Sequence, residues 1–305
     1  GIALISGASR GIGRATALLL AQEGYTVAVN YHHNINAATE VVNTIVASGG
    51  KATALRADIS DEAQVMAMFE AIDRMGEPLT ALVNNAGILF TQCTVESLSA
   101  ERINRVLATN VTGYFLCCRE AVKRMSHRHG GKGGAIVNVS SAASRLGAPG
   151  EYVDYAASKG AVDTLTTGLA LEVAAQGIRV NGVRPGLIYT EMHASGGEPG
   201  RVDRVKGSLP MQRGGQPEEV AQAIAWLLSG QVIMAGVVCS LVATGVCMLL
   251  CGLLHMAVLA GHSGAGLPAA DSAFGVSAPG SLPPCRFAIG PAESYTLFVS
   301  MCFIC

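Results

Sequence analysis

Up to about residue 229 the chain alternates between short runs rich in apolar and β-branched residues and longer runs whose apolar residues recur every three or four positions. The short runs predict strands at 2–6, 26–30, 52–57, 79–84, 134–140 and 178–183. The longer ones predict helices at 12–23, 35–48, 61–75, 100–125, 152–176 and 217–229. Regular alternation of the two kinds predicts βαβ units, hence an α/β domain with a doubly wound parallel sheet covered by helices on both faces. Right-handed crossovers wind such a sheet outward in two directions and leave a crevice at the carboxyl ends of its strands, where a ligand is expected.

After Ser229 the rhythm stops. Residues 231–260 form a nearly unbroken apolar run, interrupted by Ser240, Thr244, His255 and a few glycines, long enough to cross a bilayer core of ~30 Å as a helix. Residues 261–305 are rich in Gly, Pro, Ala and Ser without clear periodicity. The expected division is therefore an α/β domain at 1–229 and an atypical, apolar tail at 230–305. Three readings of the tail compete: a membrane anchor at 232–260, a disordered apolar segment, or sequence from an altered reading frame or splice. Low charge, scattered cysteines and absent periodicity favour the third.

Charge and cysteine usage sharpen that boundary. Of 21 Lys and Arg and 22 Asp and Glu, residues 230–305 hold only Arg286, Asp271 and Glu293. Six of the nine cysteines also lie there, leaving Cys93, Cys117 and Cys118 in the front. The front thus reads as a reduced, cytoplasmic protein without a disulfide framework. A net charge of −1 offers no basic field for nucleic acid or acidic lipid and makes a small-molecule ligand the expected partner. Cys302 and Cys305 lack a second pair, so no zinc site is expected. The first strand follows Gly1 with no basic n-region, so no signal peptide is expected, and the missing initiator Met suggests a trimmed or partial chain.

The candidate chemistry begins where the first predicted strand runs into SGASRGIG at 6–13. Gly7, Gly11 and Gly13 stand where a strand turns into a helix N-terminus, whose amides and positive end suit a pyrophosphate. At the end of the second strand, Asn30-Tyr31-His32 carries no carboxylate to bind a ribose 2′-hydroxyl and repel a 2′-phosphate. Arg10 can offer a guanidinium to that phosphate and Asn30 a hydrogen bond, which favours NADP(H) over NAD(H). The alternative for Arg10 is a solvated loop charge.

Tyr155 and Lys159 are four residues apart in a predicted helix, so they share a face one turn apart. A cation beside a phenol lowers its pKa from ~10 and lets it exchange protons near neutrality. Tyr152 has only Ala156 at the matching position. Ser141 ends the fifth predicted strand at the same sheet edge and can hydrogen-bond a substrate oxygen as charge changes there; Ser140 and Ser144 are its rivals. Residues 191–215, with Gly, Ser and Pro, read as a substrate lid. Within it, His193 is a substrate contact or a solvated loop residue. His32, His33, His127 and His129 read as solvated.

These features, with Asn84-Asn85-Ala86-Gly87, Asn110 in TNVTG, and Pro185-Gly186, follow the order and approximate spacing of the short-chain dehydrogenase/reductase family over about residues 1–229. The chain most resembles its NADPH-dependent, 3-oxoacyl-carrier-protein-reductase-like members. The resemblance implies a Rossmann fold and a homotetramer. It implies cofactor contacts from Gly7, Ser9, Arg10, Gly11, Ile12, Gly13, Asn30, Asp58, Ile59, Asn84, Ala86 and Gly87, and from Tyr155, Lys159, Pro185, Gly186, Ile188 and Thr190. It also implies reduction of a carbonyl with Tyr155 as acid, Ser141 polarising the oxygen, Lys159 on the nicotinamide ribose, and Asn110 holding Lys159 through water.

Two departures stand out. Ser141 lies one residue further from Tyr155 than is usual in the family. Moreover, the Thr-Gly pattern of the family's seventh strand is missing after Ser229, so that strand is expected to be replaced, its sheet edge exposed and assembly weakened. A nucleotide-binding protein without turnover is the second reading.

Overall fold

In the computed structural model, which describes residues 1–232, 235–236 and 238–241, β1 (Ile2–Ile5) leads into α1 (Gly11–Gln22) and then β2 (Thr26–Tyr31). The same unit recurs through α2 (Ile35–Ala47), β3 (Lys51–Arg56), α3 (Glu62–Asp73) and β4 (Leu79–Asn84). Next come α4 (Ala100–Leu107), a π turn at Ala108–Thr112, α5 (Gly113–Met125) and β5 (Gly134–Val139). They are followed by α6 (Ala143–Leu146), α7 (Val153–Val173), β6 (Ile178–Pro185), α8 (Met192–Ser195), α9 (Arg201–Val205), α10 (Pro217–Leu228) and β7 (Val238–Leu241).

The strands form one parallel sheet in the order β3-β2-β1-β4-β5-β6-β7, so the chain reverses direction between β1 and β4. Alternation within each strand feeds two cores. Ala3, Ile5, Val27 and Val29 pack with α1, α2 and α10 through Leu20, Val41 and Ile224. Ile2, Leu4, Ala28 and Leu82 face α3, α5 and α7 through Phe69, Tyr114 and Val162. All six expected strands are present. The helix expected at 100–125 is divided by the π turn, and the lid at 191–215 holds two short helices.

One expectation is corrected. The sheet has a seventh strand: β7 runs parallel to β6 with Gly182 opposite Val238 and Val183 opposite Cys239, and Gly236 N donates to Val180 O at 2.7 Å. Strand addition satisfies backbone groups and needs no particular motif, so a short apolar segment can fill the place of a Thr-Gly pattern. Val232 and Cys239 join the core shared with α10. The sheet edge that was expected to be exposed is β6, and it is paired. Most of the 232–260 segment, the Gly- and Pro-rich stretch and the Cys302/Cys305 pair lie outside the described residues, so the readings of the tail do too. Among the described residues no helix is long and apolar enough to cross a membrane.

Candidate active site

The carboxyl ends of β1, β2 and β4 meet at the glycine turn. Gly7 and Gly11 hold φ of +62° and +51°, a backbone that side chains disfavour. A Cβ on Gly13 would overlap the Gly7 carbonyl and stand 2.5 Å from Asn85 Nδ2. Gly13→Ala is therefore expected to cost about 1–3 kcal/mol through overpacking of backbone against backbone, read as a lower melting temperature. Ser9 is half-buried and Arg10 exposed, and Arg10 makes no ion pair among the described residues. Ile12 starts α1, its carbonyl accepting from the Thr16 hydroxyl. A 460 Å³ cleft beside the turn is lined by Gly11, Arg14, Tyr189, Thr190, Glu191 and Pro217.

Asn30 departs from its expected use. It is 2% exposed, its Oδ1 accepts from Gly7 N at 3.1 Å, and its Nδ2 donates to Leu55 O and Ala57 O. Both amide protons are thus committed, and Asn30 braces the turn with nothing left to offer a phosphate. Asn84 departs similarly. Fully buried, it donates to Asn138 Oδ1 and Cys118 Sγ inside the sheet. The neighbouring Asn85 is the one that faces the turn, donating to Ser6 O and Gly7 O, while the Ser6 hydroxyl accepts from Asn85 N and Ala86 N. Strand alternation held the signal: of two successive asparagines only one can point to that side.

Asp58 closes β3. Burial opposes its ionisation, yet hydrogen bonds from the Ser60 hydroxyl and amide, with His32 at 3.5 Å, hold its carboxyl below the usual range. His32 is pushed down, chiefly by burial, and its ring stacks on His33 at 3.5 Å. The side chain of Ile59 is in the core against Gly113.

At the crevice itself, α7 presents Tyr155 and Lys159 on one buried face, 9% and 2% exposed. Lys159 Nζ lies 5.6 Å from the Tyr155 ring centroid and donates to Val139 O at 2.7 Å and Tyr114 Oη at 3.3 Å. The expected acidification of the phenol is not found. Burial pushes Tyr155 up to about 12, opposed in part by a hydrogen bond from Ser141, and burial brings Lys159 down to about 7, opposed by Asp163. Desolvation of both groups outweighs the benefit of proximity, and the ammonium spends its hydrogen bonds on other oxygens.

Among the three serines, Ser141 is the one near enough to the phenol to lower its pKa, and its Oγ accepts from Ala143 N at 3.1 Å. Ser140 Oγ donates to the Lys159 carbonyl at 3.1 Å, and Ser144 Oγ is buried without a partner among the described residues. The loop containing the extra residue folds into α6 and leaves Ser141 in reach. Asn110 sits in the π turn, fully buried, accepting from Ile88 N at 2.8 Å and donating to Ile88 O and Ser158 Oγ. A Cβ on Gly87 would meet Asn110 Oδ1 at 3.5 Å and Lys159 Nζ at 3.6 Å, so the Gly87 backbone lies beside both side chains.

β6 delivers Pro185, whose carbonyl accepts from Ala142 N, and then Gly186 and the buried Ile188. Thr190 Cγ2 is 3.2 Å from where a Gly11 Cβ would be, so this loop meets the glycine turn. His193 is half-buried, its Nε2 bonded to Ile188 O at 2.8 Å, and burial lowers its pKa. His127 is exposed, with one edge of its ring against Gly177. The lid is tied to the loop before α7 by Arg201, which binds both Glu151 oxygens.

The pattern of short chain dehydrogenases matches residues 1–199. The chain is 82% identical over 228 residues to an uncharacterised oxidoreductase of Escherichia coli K12, YgfF, covering 75% of this chain and 92% of that protein. It is 39% identical to the 3-oxoacyl-[acyl-carrier-protein] reductase of Synechocystis over 74% of this chain and 88% of the relative. The crystal structure of 3-ketoacyl-(acyl-carrier-protein) reductase from Brucella melitensis, complexed with NADH, superposes with a TM-score of 0.73 at 31% identity, covering 79% of this chain and 96% of that one.

Proposed function

Because this chain belongs to the short-chain dehydrogenase/reductase family and is an oxidoreductase of that type, we propose that it reduces a ketone or aldehyde at the expense of NADPH, with Tyr155 as proton donor. The observation that carries this reading is the buried pair Tyr155 and Lys159 on one face of α7, with the half-buried Ser141 beside the phenol at the carboxyl edge of β5. The bound nicotinamide supplies the hydride. Ser141 and Tyr155 hydrogen-bond the carbonyl oxygen, and the phenol gives it a proton as the carbon is reduced. A phenol pushed up to about 12 stays protonated through neutral pH, which suits an acid in the direction of reduction. Lys159 orients the nicotinamide ribose, and Asn110 holds the β4–α4 loop and the α7 turn around it.

The residues at the glycine turn fit a dinucleotide: the left-handed Gly11 and the first turn of α1 line an open cleft, with the left-handed Gly7 in the turn that leads into it. The family resemblance assigns further contacts to Ser9, Ile12, Asp58, Ile59, Ala86, Gly87, Pro185, Gly186, Ile188 and Thr190. Preference for the 2′-phosphate rests on Arg10 and on the lack of an acid at the end of β2, since Asn30 is committed elsewhere. Arg10→Ala is expected to weaken NADPH binding about tenfold or more while leaving NADH within about twofold, measured by titration of cofactor fluorescence. Equal losses for both would remove the NADP preference from this reading.

Cytoplasmic location and a family-like homotetramer complete the proposal; Leu107 and Phe115, exposed on α4 and α5, are apolar surface that such an assembly would cover. The reading of a nucleotide-binding protein without turnover is not favoured, since β7 pairs with β6 where a lost strand motivated it. The test is NADPH oxidation, followed by absorbance, over a panel of ketones and aldehydes including 3-oxoacyl thioesters. Cofactor binding without oxidation of NADPH by any of them would reject the reductase.

A further inference from the structure

We propose that Tyr114 is a positioning residue for Lys159: its phenol oxygen is a built-in acceptor that fixes the ammonium beside Tyr155. This rests on the role given to Lys159 above. Tyr114 lies one turn beyond Asn110, after the π turn has shifted the helix, and is completely buried. Its hydroxyl donates to Val139 O at 3.1 Å. A phenol has one proton, and here it is committed to that carbonyl, so the lone pairs are what Lys159 Nζ meets at 3.3 Å. Nζ donates to the same Val139 carbonyl at 2.7 Å, which closes a three-membered network of carbonyl, phenol and ammonium.

The ammonium also lies over both aromatic faces, 5.1 Å from the Tyr114 centroid and 5.6 Å from that of Tyr155. Burial pushes the Tyr114 phenol well above its ordinary pKa, so it remains a neutral acceptor and does not compete as a proton donor. A phenylalanine would fill the same space and bury no hydroxyl; the hydroxyl's geometry is explained by what it does for Nζ. Other groups facing this network are Tyr155 and Asp163 on α7, Cys117 and Cys118 below Tyr114 on α5, and Arg184 on β6, paired with Asp163. Of these only Asp163 bears a negative charge toward Lys159, from its own helix, so Tyr114 is the side-chain acceptor that another helix contributes.

An accepting oxygen favours the charged amine, and its removal makes Lys159 lose its proton at lower pH. In Tyr114→Phe the alkaline limb of NADPH affinity, read by cofactor fluorescence, is expected to move down by about one pH unit. The alkaline limb of kcat on any ketone that is reduced should move with it, while the melting temperature stays close to that of the parent. Fluorotyrosine at position 114 keeps the ring and the donor but weakens the acceptor, and should give a smaller shift in the same direction even if the Phe variant folds poorly. In a Lys159→Met background neither change should alter the pH dependence. An unshifted limb, no alkaline limb in the parent, or an equal shift without Lys159 would overturn the proposal. The binding arm does not need turnover, so a protein that binds NADPH but reduces nothing defeats the reductase reading and still decides the role of Tyr114.

Discussion

Tyr155→Phe is expected to lower carbonyl reduction about a thousandfold or more, within the range of ~10²–10⁴ that a positioned proton donor contributes, while NADPH affinity changes little. The substitution keeps the ring that lies 5.6 Å from Lys159 Nζ and removes only the hydroxyl that Ser141 influences. Packing should survive, since the buried ring is kept and, among the described residues, its hydroxyl makes no bond that holds another element in place. The two readouts separate chemistry from binding: kcat falls because the oxygen receiving the hydride's electron pair loses its proton source, whereas the dinucleotide is held at the glycine turn and by Lys159. Ser141→Ala should be less severe, because one of two donors to the same oxygen remains. Turnover that persists in Tyr155→Phe would show that protons reach the substrate by another route and would displace Tyr155 from its assigned role.

The sheet and its flanking helices were legible because hydrophobic alternation is a local signal: Ile2 and Leu4 face one core, Ala3 and Ile5 the other, and each pattern is complete within a few residues. Tyr155 and Lys159 were legible for the same reason, their spacing and the helix being enough to put them on one face. Four things were not. The pKa directions depend on how far burial outweighs a neighbouring charge, and burial is a property of the assembled crevice, not of a four-residue spacing. Asn30 and Asn84 were assigned by position in a motif, but which way each amide turns depends on partners such as Leu55 O and Asn138, 25 and 54 residues away. Tyr114 carries no motif at all, and its importance appears only when α5, β5 and α7 meet. The seventh strand was missed because a search for particular residues cannot see an unpaired row of backbone groups on β6 waiting for any short apolar partner.

That strand sets up the other large effect. Arg184 in β6 is 5% exposed, its Nε donates to Asp163 Oδ2 at 2.9 Å, and its Nη1 reaches the Val238 carbonyl of β7 at 3.4 Å. Asp163 Oδ1 has no partner among the described residues, so the guanidinium is the main compensation for a largely buried carboxylate. Arg184→Met keeps most of the volume and strips that compensation, which for a buried pair costs about 3–5 kcal/mol. In a domain of this size the melting temperature should drop by roughly 6–20 °C. Because Arg184 also holds Val238, amide exchange in β7 should accelerate more than in β1 at the centre of the sheet. A double variant, Arg184→Met with Asp163→Leu, leaves no buried charge and should recover most of the melting temperature without restoring the bond to β7. Recovery of both properties would mean that β7 is held by its ladder to β6 alone. Recovery of neither would mean that Arg184 stabilises the sheet through its aliphatic packing and not through Asp163.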